Sequence, residues 1–196
     1  ANPALLLIEL DGHPAVLADD AAKVRVWAKE RCLVSRETDD PAEAERLWDI
    51  RRTCSQAMYL LGNAKLNEDI VVPFRSYVPL IRLAQRMKAT HGLATPTFGH
   101  AADGNFHIHV MYNREDPDHR RKAEAAILEM MREVVALGGA ITGEHGIGIA
   151  KSPFLRLQHT EAEIQAMLAV KRALDPNNIL APGQIFEPLN VWEHTP

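Results

Sequence analysis

Apolar positions along this chain recur at two spacings, near 3.6 and near 2, and the switches between them mark alternating helical and extended segments. Ala4 to Leu10, ALLLIEL, is a short, nearly continuous apolar run that predicts a buried strand. Ala22, Val24, Val26, Trp27 and Ala28 then follow helical spacing within Asp19 to Arg31, with Asp19 or Asp20 as N-cap. Asp40-Pro41 is a cap followed by an N1 proline, and Ala44, Leu47, Trp48, Ile50 and Cys54 carry an apolar face to about Leu61. Gly62 and Asn63 end that helix. DIVVP, Asp69 to Pro73, reads as a strand, and Tyr77 to His91 as a helix closed by Gly92.

ATPTF and NFHIHVMY alternate polar and apolar residues, predicting two strands joined through a loop from Gly99 to Gly104. His107 and His109 then share one face of the second strand, with Phe106 and Ile108 on the other. Asp116-Pro117 opens a long amphipathic helix that Gly138-Gly139 stops. Thr160 and Glu163 form a capping box for a last helix to Leu174. The Pro- and Asn-rich residues 175–196 read as a tail laid over a surface.

Composition narrows the function classes. With 196 residues, 46% hydrophobic and 24% charged, the chain is long enough to bury a core without disulfides. A net charge of -4, with no basic stripe interleaved with aromatics, argues against nucleic acid. Cys32 and Cys54 read as buried free thiols, which fits a reducing, cytoplasmic setting with any membrane association made through partners. No apolar run approaches the roughly 18 residues of a membrane span, and Ala4 to Leu10 lacks the flanks of a signal peptide. A chain that starts at Ala1 suggests that residues precede it.

The candidate chemistry lies in FGHAADGNFHIH, Phe98 to His109, and TGEHGIG, Thr142 to Gly148. His100 and His107 are seven apart, so the AADGNF between them must fold one imidazole toward the other, a turn that Gly99 and Gly104 make easy. Two imidazoles and a carboxylate form a three-ligand metal set with a position left open, and Glu144 can be the third ligand. Glu144 and His145 are adjacent and so serve different tasks. Each histidine alone reads as a backbone-bonded polar residue; only the joint pattern points to a metal. His109 reads chiefly as strand packing, with a fourth ligand or a partner of a ligand as alternatives. Asp103 suits either a turn or the orientation of a ligand histidine.

At this point the chain resembles a family. GHAADGNFH is similar to GHxGDGNxH and TGEHGIGIAK to SGEHGIGxxK, signatures of the FAD-linked oxidases that act on D-2-hydroxy acids. LWDIRR, KLNEDIVVPFRS and LDPNNILAPGQIF agree in order, so the resemblance covers nearly the whole chain, as the C-terminal half of such an enzyme. It implies an α+β fold: an antiparallel sheet with helices packed largely on one face, a ferredoxin-like cap domain over residues 1–196, followed by a C-terminal helix and tail. It implies His100, His107 and Glu144 as ligands of a divalent metal, for which Zn, Mn and Fe all suit the donors. His145 matches the catalytic histidine, Arg51 the carboxylate-binding arginine and Lys65 a second cationic contact. Ser55, one helical turn beyond Arg51, can also touch substrate.

The implied partners are a small 2-hydroxy acid and an N-terminal FAD-binding domain, against which the tail from Asp175 would pack; exposure of that surface allows homo-oligomers. The chain carries no Gly-rich pyrophosphate loop, so alone it is expected to hold no FAD and to be inactive. Ala102, Ala181 and Gln184 depart from the family's Gly, Asn and Lys, the last two within the tail. A stand-alone metal- or ligand-binding module and a metal-dependent hydrolase are the competing readings.

Overall fold

Local capping signals account for most of the helices in the computed structural model, which describes residues 4–187 and divides into two units, one ending at Ala57 and one starting at Met58. In the first unit, α1 (Pro14–Arg31) starts five residues before the expected Asp19. Pro14 is pre-shaped for a first turn, and the His13 Nδ1 accepts from Ala15 N at 3.3 Å, so the cap is an imidazole, not a carboxylate. α2 (Pro41–Ala57) follows its cap as expected, with Ala42 N donating to Asp40 Oδ1 at 3.0 Å. Neither helix contains a fully buried residue.

Two expectations fail here. Residues 4–10 form no strand, and Leu5, Leu6, Ile8 and Leu10 are exposed. An apolar run becomes a strand only where a neighbour receives its N–H and C=O groups. Cys32 is exposed, not buried, because it caps the C-terminus of a helix that has no buried face; Cys54 is half-buried, and both are free thiols.

The second unit runs β1 (Ala64–Val71), α3 (Tyr77–His91), β2 (Thr97–His100), β3 (Asn105–Tyr112) and α4 (Pro117–Ala136), then the one-turn α5 (Leu155–Gln158) and α6 (Glu161–Leu174). The strands form an antiparallel sheet in the order β1-β3-β2. After α4 the chain returns to the free edge of β1, where Ala140 bridges Val71. That β-α-β-β-α order, with a fourth strand reduced to one bridge, is the expected ferredoxin-like α+β arrangement. β1 begins five residues earlier than DIVVP suggests, since the polar AKLNE pairs fully with β3.

One face of the sheet carries the core. Ile70 from β1, Phe106, Ile108, Val110 and Tyr112 from β3, Leu80, Leu83 and Met87 from α3, and Ala126, Ile127, Met130 and Val134 from α4 form one cluster. The β3 residues in it are the even-numbered ones, as period-2 alternation requires. α3 ends on Gly92 at φ 70°, α4 starts on the Asp116 cap, and α6 closes the Thr160–Glu163 capping box, all as read from the sequence. The tail expected over residues 175–196 is described to 187, the rest lying outside the described residues. Asp175 caps its first turn by accepting from Ile179 N and Leu180 N.

Candidate metal and acid/base site

The odd face of β3 is as buried as the even one, yet it carries Asn105, His107 and His109. His107 is held there by pairing on both sides, with Asp69 across from it on β1 and Phe98 on β2. His100 ends β2, opposite Asn105, so the hairpin that joins β2 to β3 returns the chain and brings the two imidazoles to 6.1 Å between ring centroids. Gly104 makes the return possible: its φ is 73°, and a Cβ there would meet Val72 O at 2.3 Å. Ala102 keeps an ordinary negative φ, so losing the family's glycine there costs nothing in backbone strain. Asp103 sits exposed in the turn, its N–H donating to His100 O.

Glu144 comes from the loop that follows the Ala140 bridge. Ligating atoms of His100, His107 and Glu144 all lie within 4.8 Å of one another, the grouping expected from the sequence. Glu144 Oε1 is 3.7 Å from His107 Nε2 and 3.7 Å from His145 Nε2. The His145 ring centroid is 5.6 Å from that of His107. Two imidazole nitrogens and a carboxylate suit a divalent ion with an open position.

Beneath the loop lies Asp69, fully buried. Its Oδ2 accepts from the backbone N–H groups of Gly143, Glu144 and His145 at 2.9, 2.8 and 2.9 Å, and its Oδ1 from Asn105 Nδ2 at 2.6 Å. Lys151 donates from Nζ to Asp69 O at 2.6 Å and stands 3.8 Å from the carboxylates of both Asp69 and Glu68. Burial alone would raise the Asp69 pKa, but the donors from His145, Asn105, Glu144 and Gly143 prevail and hold it well below the usual carboxylate range. Burial lowers His107, outweighing the attraction of Asp69, so its imidazole is neutral near pH 7 and free to act as a ligand. Burial also takes His109 down to about 4, helped by the Lys65 charge.

His109 stacks on Phe98 at 5.1 Å between centroids and stands apart from the three-ligand grouping, with no partner for its Nδ1 among the described residues. Lys65 lies across from Met111 in the β1–β3 register, hence on the His107 side of the sheet, with its Nζ 5.3 Å from the Tyr59 ring centroid. Arg51 and Ser55 lie four residues apart on α2, in the first unit. Asp69, Asn105 and Lys151 escaped the sequence reading as site residues. The signal for Asp69 was a carboxylate at the head of the apolar run Ile70 to Val72. In the tail, Ala181 has φ 47°, a left-handed conformation that the family's Asn adopts more easily than Ala, and Ile185 N donates to Gly148 O at 2.8 Å.

Residues 1–185 match the family model described as FAD linked oxidases, C-terminal domain. Glycolate oxidase subunit GlcD of Bacillus subtilis is 35% identical over 184 residues, covering 93% of this chain and 39% of that protein. The mitochondrial D-lactate dehydrogenase [cytochrome] of Arabidopsis thaliana is 31% identical over 152 residues, 76% of this chain and 27% of its own length. The chain thus spans about two-fifths or less of these relatives. In fold it resembles a 4-ethylphenol oxidase from Gulosibacter chungangensis, solved with isoeugenol, at a TM-score of 0.60 and 18% identity over 88% of this chain and 37% of that one. Among the described residues no helix is long and apolar enough to cross a membrane.

Proposed function

The chain belongs to the family of C-terminal domains of FAD-linked oxidases, and from that premise we propose that it is the substrate- and metal-binding part of an enzyme that oxidises a small D-2-hydroxy acid to the 2-oxo acid. The observation that carries this reading is the close grouping of His100, His107 and Glu144 with His145 beside it. An ion such as Zn, Mn or Fe held by the first three would be a Lewis acid that lowers the pKa of the substrate hydroxyl. An imidazole nitrogen of His145 then takes the hydroxyl proton; its side chain is half exposed and within reach of an incoming ligand. By their match to the family's motif positions, Arg51 and Lys65 would supply cationic contacts to the substrate carboxylate, and Ser55, one helical turn beyond Arg51, would supply a hydroxyl. Flavin, bound by an N-terminal domain outside this chain, would accept the hydride from the substrate carbon.

The test is anaerobic mixing of the complete flavoprotein with D- and L-2-hydroxy acids in the presence of added metal. Bleaching of the flavin by a D acid is expected, slowed by about 10²- to 10⁴-fold in His145→Ala. No bleaching with any D-2-hydroxy acid would sink the reading. Without its flavin domain the chain is expected to purify colourless and to turn over none of these acids, and flavin absorbance in the purified chain would contradict that.

A further inference from the structure

We propose that Asp69 is a positioning residue which, with Asn105, shapes the Gly143–His145 backbone so that Glu144 completes the metal set and His145 stands clear of it. The inference rests on the metal reading above for its consequence, but not for its geometry. Three consecutive backbone N–H groups converge on a single carboxylate oxygen, within 2.8 to 2.9 Å. Such a concave run of amides is an anion-binding nest, and here the anion is built into the neighbouring strand. Asp69 lies directly across from His107 in the β1–β3 register. The same strand pairing therefore sets the second histidine ligand and the anchor for the loop that brings the carboxylate ligand.

Two further observations fix the loop to this anchor. A Cβ on Gly143 would fall 1.8 Å from Asn105 Nδ2 and 2.6 Å from Asp69 Oδ1, so the backbone rests directly on the pair and only glycine fits. Thr142 Oγ1 donates to Gly146 O at 3.2 Å, closing the turn, and Gly146 takes φ 76°. Adjacent residues in an extended strand would send Glu144 and His145 to opposite faces; folding the backbone around one oxygen keeps both on the side of His107. Glu144 and His145 are themselves exposed, so the buried anchor supplies the order that their own packing does not.

The experiment uses the complete protein in wild-type, Asp69→Asn and Gly143→Ala forms, with two readouts. In hydrogen exchange, the Gly143, Glu144 and His145 amides of the wild type are expected to exchange at least tenfold more slowly than in either variant, while β3 and α4 keep their protection. In calorimetric titration with Zn2+ alone, both variants are expected to bind at least tenfold more weakly than the wild type, within the range seen when a group supporting a ligand is lost. Equal protection of these amides in wild type and Asp69→Asn would overturn the proposal. So would loss of protection throughout β3 and α4, which would make Asp69 a residue that holds the whole fold. Unchanged Zn2+ affinity despite a loosened loop would overturn the link to the metal. Wild-type protein that binds no Zn2+ would instead defeat the metal reading, while the exchange pattern still decides the role of Asp69.

Discussion

The two faces of β3 are built from one eight-residue strand, equally buried, and put to opposite uses. Phe106, Ile108, Val110 and Tyr112 face α3 and α4 in the core cluster; Asn105, His107 and His109 share the opposite face, where His107 meets His100 and Glu144. The apolar side gains stability in proportion to the area it removes from water. The polar side buries imidazoles whose charged forms are disfavoured, as the lowered pKa values of His107 and His109 record. A strand can sustain such a face only while the opposite one holds it flat. Stability and chemistry are therefore separable by residue parity, and substitutions two atoms apart in the backbone should have unrelated consequences.

The sharpest test uses neighbours. Ile108→Ala removes a fully buried side chain between β3 and the helices and should cost about 3 kcal/mol in urea unfolding. Zn2+ affinity of the molecules that remain folded should stay within about twofold. His107→Ala, one residue away, should reverse the pattern: at least a ~100-fold loss of Zn2+ affinity, about 2.7 kcal/mol, with unfolding stability changed by less than about 1 kcal/mol. Comparable losses of stability in both variants would mean that the polar face also carries the fold, and the division by parity would fail.

How far this division could be read in advance differs between its two sides. The alternation in NFHIHVMY exposes both faces, and the motifs GHAADGNFH and TGEHGIG, through their family resemblance, single out the three side chains that the structure groups. Helix ends were equally legible, because Asp116-Pro117, Thr160 with Glu163, and Gly92 act on the backbone within a turn of themselves. What escaped depends on distant partners. Asp69 looks like the polar start of a strand until its carboxylate meets amides 74 to 76 positions later. The AKLNE half of β1 does not read as strand because Lys65, Asn67 and Glu68 are polar or charged; pairing with β3, and Lys151 beside Glu68, make their place in a sheet tolerable. Residues 4–10 err the other way, apolar enough for a strand yet without strand pairing within their own unit.

Glu68 is the exception that tests the comparison most finely, because it brings a carboxyl group to the apolar side. It pairs with Ile108 in the register, which places it on the helix-facing side, and it is buried. Lys151 Nζ is 3.8 Å from its Oε2, close enough for an ion pair but too far for a hydrogen bond, and that oxygen has no hydrogen-bond partner among the described residues. Burial therefore prevails over the attraction of Lys151 and pushes the Glu68 pKa up to about 7. In the unfolded chain the same group titrates near 4.3. Between these two values the folded protein binds a proton that the unfolded chain has released, so stability must fall as pH rises through this window. Below it both states are protonated and the cost vanishes; above it both are ionised and the full cost of the buried anion remains. Urea unfolding of wild type and Glu68→Gln from pH 4.5 to 7.5 isolates the effect, since the other titrating groups cancel in the difference. The wild type should lose about 3 kcal/mol relative to the variant across that range. A difference that stayed flat would show Glu68 ionised throughout and paired with Lys151, extending the polar network of Asp69 onto the helix-facing side of the sheet.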